Sequence, residues 1–397
     1  MYSIDWLSSF SNIGLITPIY IKEDCKYFPV LENKLTFLNN ILAQGHAPEA
    51  IRTKVKDISD CVLDSMQLYY RGSIDEAQIK IYSVIEDISK KPLAISDIQD
   101  SISLSRLENF IKENKKPENV KLFHARLSDK VVDYSDVDML HIPFSLRDKM
   151  RPQRFSIPGL PCYYLATTSL CCWYEMGRPP DNYFNVSAIE LLGKFKILNL
   201  GISSQHFVDY ARFMKEGKIQ EEFDNPNSLL FSLACLRILA IATSFRVNRF
   251  DENAPFKSEY VISQLIMLAA KKLEYDGVAY LSKRFRQDTV SIPFFANLAL
   301  FAPYDGEDNY SKLIDRIKLS DPINYSAYKQ KRQDLLMVDQ YGLIDDYYNT
   351  VFYLFDDYLW HIPRMSVEFS NDNRFHIWGL NYEDDLRITK EKNKKDG

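Results

Sequence analysis

The sequence predicts a mixed α+β protein, with a mainly helical N-terminal region, an α+β core and a C-terminal extension. Three observations carry this. Apolar residues recur at helical spacing through much of 53–88. From residue 120 onward, short apolar runs of strand length are separated by helices and polar loops. Between the two patterns stands KENKKPENV, starting at Lys112, with the charge and proline of a boundary. Strands this short and irregularly spaced do not make the strand–helix alternation of a parallel sheet.

The elements follow in chain order. From Thr53 to Tyr70, Val55, Ile58, Val62, Met66 and Tyr69 form one helical stripe. A second helix carries Ala77, Ile81, Val84, Ile85 and Ile88, and Ser73 with Glu76 has the spacing of a capping box at its start. Val120 to Leu127 reads as extended. The run Tyr163 to Ala166 is a strand that passes through Thr167, Thr168 and Ser169 into a helix carrying Glu175. Ile197 to Leu200 is a further strand ended by Gly201, and Asn227 to Asn248 is largely helical. Ile262, Ile266, Ala269 and Leu273 line one face of a helix for which Ser258 is a candidate cap, and Asp276-Gly277 ends that segment before the strand 278–281. Phe294 to Phe301 is another apolar segment. Lys312 to Met337 has helical character and Val351 to Trp360 is rich in aromatic residues. Val367 and Phe369, then Phe375 and Ile377, alternate about the turn residues 370–373 as a late hairpin. Residues 1–115, 118–305 and 306–397 are accordingly expected as a helical accessory or regulatory domain, a core domain and an extension.

Composition narrows the function. At 397 residues, with 46% apolar and 13% aromatic residues, the chain has ample material for a core. A net charge of -5 disfavours whole-surface attraction to nucleic acid, though it leaves room for a local anion pocket. The N-terminus shows no basic leader with a sustained apolar run. The most apolar stretch, Leu229 to Phe245, is interrupted by Arg237 and reads as a buried helix, so the expectation is a cytoplasmic protein without a membrane segment. The six cysteines contain no C-x-x-C pair, and Cys171 and Cys172 are expected to be packing residues. The six histidines are scattered without ligand spacing, so no metal is expected, and neither a dinucleotide-binding nor a phosphate-loop glycine motif is present.

The densest chemistry lies in RFSIPGLPCYYLATTSLCCWYE, from Arg154 to Glu175. An arginine in a Gly/Pro turn, a phenol on a strand and a carboxylate on a helix suit a phosphorylated small molecule better than a polymer. Arg147, Lys149 and Arg151 make the preceding loop basic, an arrangement that is ordinarily a solvated charge run.

Together, LFHARLSD at 122–129, the 154–175 segment, ILNLG at 197–201, EYVISQLIMLAAKKLEYDGVAYLS at 259–282 and NLALF at 297–301 resemble the RES-domain family, in that family's order across roughly 118–305. The resemblance implies a mixed core related in shape to ADP-ribosyltransferases, sometimes preceded by helical domains. It also implies a toxin-like enzyme that consumes NAD+. NAD+ is then the substrate, inorganic phosphate is a candidate co-substrate, and no cofactor is tightly bound. An inhibitory antitoxin or regulatory protein is the expected partner, direct nucleic-acid binding is not expected, and a homo-oligomer is left open.

The same resemblance assigns residues. Its opening motif, an aromatic residue followed by arginine, a small residue and arginine, aligns with Phe123, His124, Ala125 and Arg126. Histidine therefore replaces the first arginine, and a group charged only part of the time replaces a permanent cation. His124, Arg126 and Arg154 are implied to contact ribose or phosphates. Tyr164 would orient nicotinamide and Glu175 would stabilise positive charge as the glycosidic bond breaks. Ser282 would position polar groups, and Asn297, Tyr260 and Gln264 occupy lesser motif positions. The implied activity is NAD+ phosphorolysis or hydrolysis. Protein ADP-ribosylation, or an impaired nucleotide-binding or protein-interaction module, are the alternatives that the same residues allow.

Overall fold

The computed structural model describes residues 4–22, 25–101, 104, 107, 120–128, 134–223, 225–246, 256–285, 294–304, 306, 309–332, 344–369 and 375–377. The expected boundary around residues 112–119 lies outside these. The chain has a mixed α+β fold with substantial helical content. It divides into two compact units, each assembled from three stretches: Met1–Val120, Asp148–Cys162 and Lys194–Phe301 in one, and Lys121–Arg147, Tyr163–Gly193 and Ala302–Gly397 in the other.

In the first unit, helices Glu49–Tyr70 and Ile74–Ile88 form where the helical periodicity predicts, and helix Tyr27–Gln44 precedes them. Ala77, Ile81, Val84, Ile85 and Ile88 are all buried, each large apolar side chain contributing roughly 1.5–3 kcal/mol. The anticipated Ser73–Glu76 capping box is not formed, since Ser73 makes no side-chain cap bond. Instead, the turn from the preceding helix uses Gly72 at φ +88° and hands the Ser73 N–H to the Leu68 carbonyl. Likewise Ser258 is not a cap: it opens a 3-10 turn, Ser258–Tyr260, that runs into helix Val261–Lys272.

The sheet of this unit runs Ala296–Phe301, Gly277–Leu281, Lys196–Asn199, Ile95–Asp97, with only the middle pair parallel. Gly277 is required for the close approach of its neighbour, because a Cβ there would lie 2.5 Å from the Ala299 carbonyl oxygen. Helix Leu229–Thr243 is buried from residue 230 to its end, including Arg237 at 0% exposure. That arginine explains how a charge fits an apolar helix: its Nη1 and Nη2 donate to the carbonyls of Ile202 and Leu15, both at 2.7 Å. Tyr27 adds a phenol bond to the Ala242 carbonyl at 2.7 Å, tying the N-terminal helices to the same core.

In the second unit, an antiparallel sheet runs Phe375–Ile377, Met365–Phe369, Ile317–Leu319, Phe184–Leu191, Leu122–Leu127, and Ile323–Asn324 also pairs with Phe184–Leu191. Strand Cys162–Ala166 joins it from Tyr163 onward, touching Leu122–Leu127 in ladder register at Phe123 and Ala166. The late strand pair forms as predicted, and its turn lies outside the described residues. The helical reading of 312–337 is corrected. Lys312–Arg316 is a 3-10 turn, two short strands follow, and only Tyr325–Lys331 is α-helical, while 333–337 lie outside the described residues. Pro322 disfavours helix at the residue before it, and Ile317, Leu319 and Ile323 gain more by pairing with the long central strand.

The aromatic run at 351–360 lies on helix Ile344–His361. Phe352 stacks on Tyr325 with ring centroids 4.6 Å apart and meets Trp173 at 5.6 Å, and Trp360 meets Phe123 at 6.2 Å. Such contacts add about 0.5–1.5 kcal/mol each to plain burial.

Candidate functional site

Four of the predicted site residues belong to the second unit. Strand Leu122–Leu127 carries His124 and Arg126, two positions apart and so on one face. The adjoining strand carries Tyr163, buried, and Tyr164, half-buried. Thr168, whose hydroxyl oxygen accepts from the Cys171 N–H at 3.0 Å, then caps helix Ser169–Glu175, which ends on the half-buried Glu175.

Beyond the single ladder pair Phe123–Ala166, the His124 ring takes over the bonding: its Nδ1 lies 2.8 Å from the Tyr164 carbonyl oxygen. A carbonyl only accepts, so Nδ1 carries the proton and Nε2 is a bare acceptor. Burial pushes the His124 pKa down to about 4; the Tyr164 bond opposes this and the neighbouring Arg126 charge adds to it. Nε2 is shielded from solvent and has no hydrogen-bond partner among the described residues. Ser187, directly opposite His124 in the ladder, has its buried hydroxyl in the same condition. The expectation that His124 donates to ribose or phosphate meets a ring already committed as a donor elsewhere, which leaves its other nitrogen as an acceptor.

Arg126 donates from Nη2 to the Leu140 carbonyl at 2.8 Å. Its charge reaches a group of rings that local spacing in the sequence did not bring together. His141, also held below its usual pKa by burial, is one; the phenols of Tyr163 and Tyr310, raised by burial and partly offset by Arg126, are the others. His141 is internally satisfied, with Nδ1 donating to the Ile142 carbonyl and Nε2 accepting from the Ser311 N–H. Tyr163 donates to the Met139 carbonyl at 2.8 Å and packs on His124 with ring centroids 4.8 Å apart.

Arg154, Ser282 and Asn297 belong to the first unit. Arg154 sits in a turn closed by the Gln153–Ser156 bridge, and is 6% exposed. Its Nη1 donates to the Leu281 carbonyl and its Nη2 to the Ser244 hydroxyl, both at 2.9 Å, while the guanidinium lies 4.6 Å from the Tyr280 ring centroid. These bonds use the terminal nitrogens with which a guanidinium fork grips a phosphate. Ser282 is buried, and its oxygen accepts from the Arg284 N–H at 3.1 Å. Asn297 is buried on the strand opposite Tyr280. Gln264 donates to the carbonyls of Gln153 and Ser156, bracing the Arg154 turn, and Tyr260 accepts from Lys283 at 3.2 Å.

Among the described residues no group of His, Cys, Asp or Glu has metal-binding geometry, and no helix is long and apolar enough to cross a membrane. Cys162, Cys171, Cys172 and Cys235 are buried thiols, and burial pushes the pKa values of Cys162 and Cys235 up to about 12.

The fold and the buried polar face of the second unit define a mixed α+β protein, and its sequence is similar to that of a protein described as a toxin. Over 292 residues, 70% of the chain, it is 28% identical to a Bacillus subtilis (strain 168) protein described as "Putative toxin YopC". The match covers 61% of that protein, so the chain spans about three fifths of the length of this curated relative. Among solved structures it is similar to the crystal structure of the M. tuberculosis MbcT-MbcA toxin-antitoxin complex, with a TM-score of 0.31 and 11% identity, over 63% of this chain and 97% of that one. No protein-family profile matches the chain.

Proposed function

We propose that the chain is a toxin-like enzyme of the RES type that cleaves the nicotinamide–ribose bond of NAD+. The observation that carries this is the bond between His124 and the Tyr164 carbonyl, which links in one unit two of the positions that the RES resemblance assigns to the substrate. The similarity to a protein described as a toxin supports the biological class.

In this reading Arg126 supplies the fixed positive charge toward the dinucleotide, and the bare Nε2 of His124 accepts from a ribose hydroxyl or the carboxamide. Tyr164 orients nicotinamide, and the Glu175 carboxylate stabilises the positive charge that grows on the ribose as the C–N bond breaks. Nicotinamide leaves with the bonding electron pair, and an oxygen of phosphate or water attacks the ribose carbon and gives up its proton to solvent. Phosphate yields ADP-ribose 1''-phosphate and water yields ADP-ribose. Arg154, Ser282 and Asn297 are assigned to shaping their own strand end, Arg154 through its bonds to Leu281 and Ser244. An activity of this kind requires restraint in the producing cell, so an inhibitory protein partner belongs to the same reading.

The test is nicotinamide release from NAD+ by the purified full chain, with and without inorganic phosphate, with product masses and a Glu175→Ala control. Release that the control loses supports the reading, and the mass identifies the acceptor. A second reading is favoured by the neutral imidazole where the resemblance expects a guanidinium: a nucleotide-binding module that holds NAD+ intact. Saturable NAD+ binding without nicotinamide release selects it.

A further inference from the structure

Helix Ser169–Glu175 has seven residues, too few to hold its own direction in water. The orientation of Glu175, at its far end, therefore depends on what grips the first turn. Thr168 takes the Cys171 N–H and leaves that of Ser169 in need of an acceptor. The acceptor lies 187 residues further along the chain: Asp356 Oδ1 receives the Ser169 N–H at 2.9 Å.

Asp356 is 8% exposed, on helix Ile344–His361. One turn before it, Phe352 packs on Trp173 of the short helix, and one turn after it Trp360 packs on Phe123, whose carbonyl accepts from the Cys172 thiol at 3.6 Å. Among the described residues the cation in its field is Lys121, which lies 3.6 Å from the adjacent Asp357. A buried carboxylate with so little compensation is a poor choice for packing alone, where an apolar residue would serve better. Its position at the positive end of a helix gives it a directional task.

Resting on the proposed role of Glu175, we infer that Asp356 is a positioning residue. Its carboxylate, brought by the C-terminal extension, sets the direction of helix Ser169–Glu175 and thereby the place of the Glu175 carboxylate.

The test compares the full-length chain with Asp356→Ala, which removes the acceptor, Asp356→Asn, which keeps one, and Asp356→Glu, which pushes it outward by one methylene. Two readouts are taken: amide hydrogen exchange across 169–176, and the kcat and KM of nicotinamide release. The expected result is at least tenfold faster exchange in 169–176 for Asp356→Ala, recovery to within threefold of wild type for Asp356→Asn, and a tenfold lower kcat at unchanged KM for Asp356→Ala. Should the alanine variant fail to fold, Asp356→Glu is expected to lower kcat threefold or more at unchanged KM, with faster exchange in the same peptide. Wild-type exchange in 169–176 for whichever of these two variants folds overturns the inference. So does wild-type kcat in that variant while Glu175→Ala abolishes release. If wild type releases no nicotinamide, the NAD+ reading fails by itself, and the exchange data still decide whether Asp356 anchors the helix.

Discussion

The imidazole of His124 donates to the main-chain carbonyl of Tyr164 across 2.8 Å, and this bond fixes what the ring can do. One nitrogen is spent as a donor. The other is left to accept, and burial keeps the ring neutral at ordinary pH. A residue that resembles a substituted cation by position is thus a hydrogen-bond acceptor by structure.

His124 should therefore not titrate near neutrality. Its folded pKa, about 4, lies below the ordinary 6.5, so the unfolded chain takes up the proton first and stability falls as pH drops through that interval. The loss is on the order of 3 kcal/mol. An NMR titration of the His124 ring should show no shift above pH 5.5, and His124→Gln should lessen the fall in melting temperature between pH 7 and pH 5.

Arg126→Met should move two observables together. Removing the guanidinium raises the His124 pKa, since the Arg126 charge helps to hold it down. It also frees the Leu140 carbonyl, at a cost of about 1–3 kcal/mol. On the proposed function, NAD+ affinity by calorimetry falls at least tenfold.

Asp356 gives the opposite pH sign. Burial lifts its carboxyl to about 7 from an ordinary 3.8, so the folded state holds the proton more tightly and stability from this group is lost as pH rises from about 4 to 7. Asp356→Asn should raise the melting temperature by a few degrees at pH 8 and by less at pH 5. Scanning calorimetry at the two pH values checks this.

Gly277→Ala should destabilise the first unit by about 1–3 kcal/mol, because the new methyl group meets the Ala299 backbone oxygen at 2.5 Å and the strands must part. Urea unfolding would show a lower midpoint at unchanged slope.

Helix Ile74–Ile88 was legible because five apolar residues at helical spacing become five buried side chains, a relation that needs no distant information. The strand at 278–281 and the late strand pair were legible for the matching reason of alternation and turn chemistry. What failed depended on remote partners. Residues 317–324 carry a pattern compatible with a helix, and pairing with the strands Phe184–Leu191 and Met365–Phe369 makes extended backbone the better state. At the candidate site, the sequence singled out the segments bearing Arg126, Tyr164 and Glu175. It did not reveal that Tyr163, His141 and Tyr310 lie in the Arg126 field, or that Asp356 reaches Ser169, because those relations join residues far apart in the chain. Nor could motif position alone anticipate that Arg154 spends its terminal nitrogens on Leu281 and Ser244.

The two carbonyls that receive Arg237 belong to residues 15 and 202, both upstream of it. During vectorial synthesis each acceptor leaves the ribosome before the cation does. The most apolar helix among the described residues can thus pair these two guanidinium nitrogens with segments already made, so its one charge does not oppose the collapse that takes its oily surface out of water.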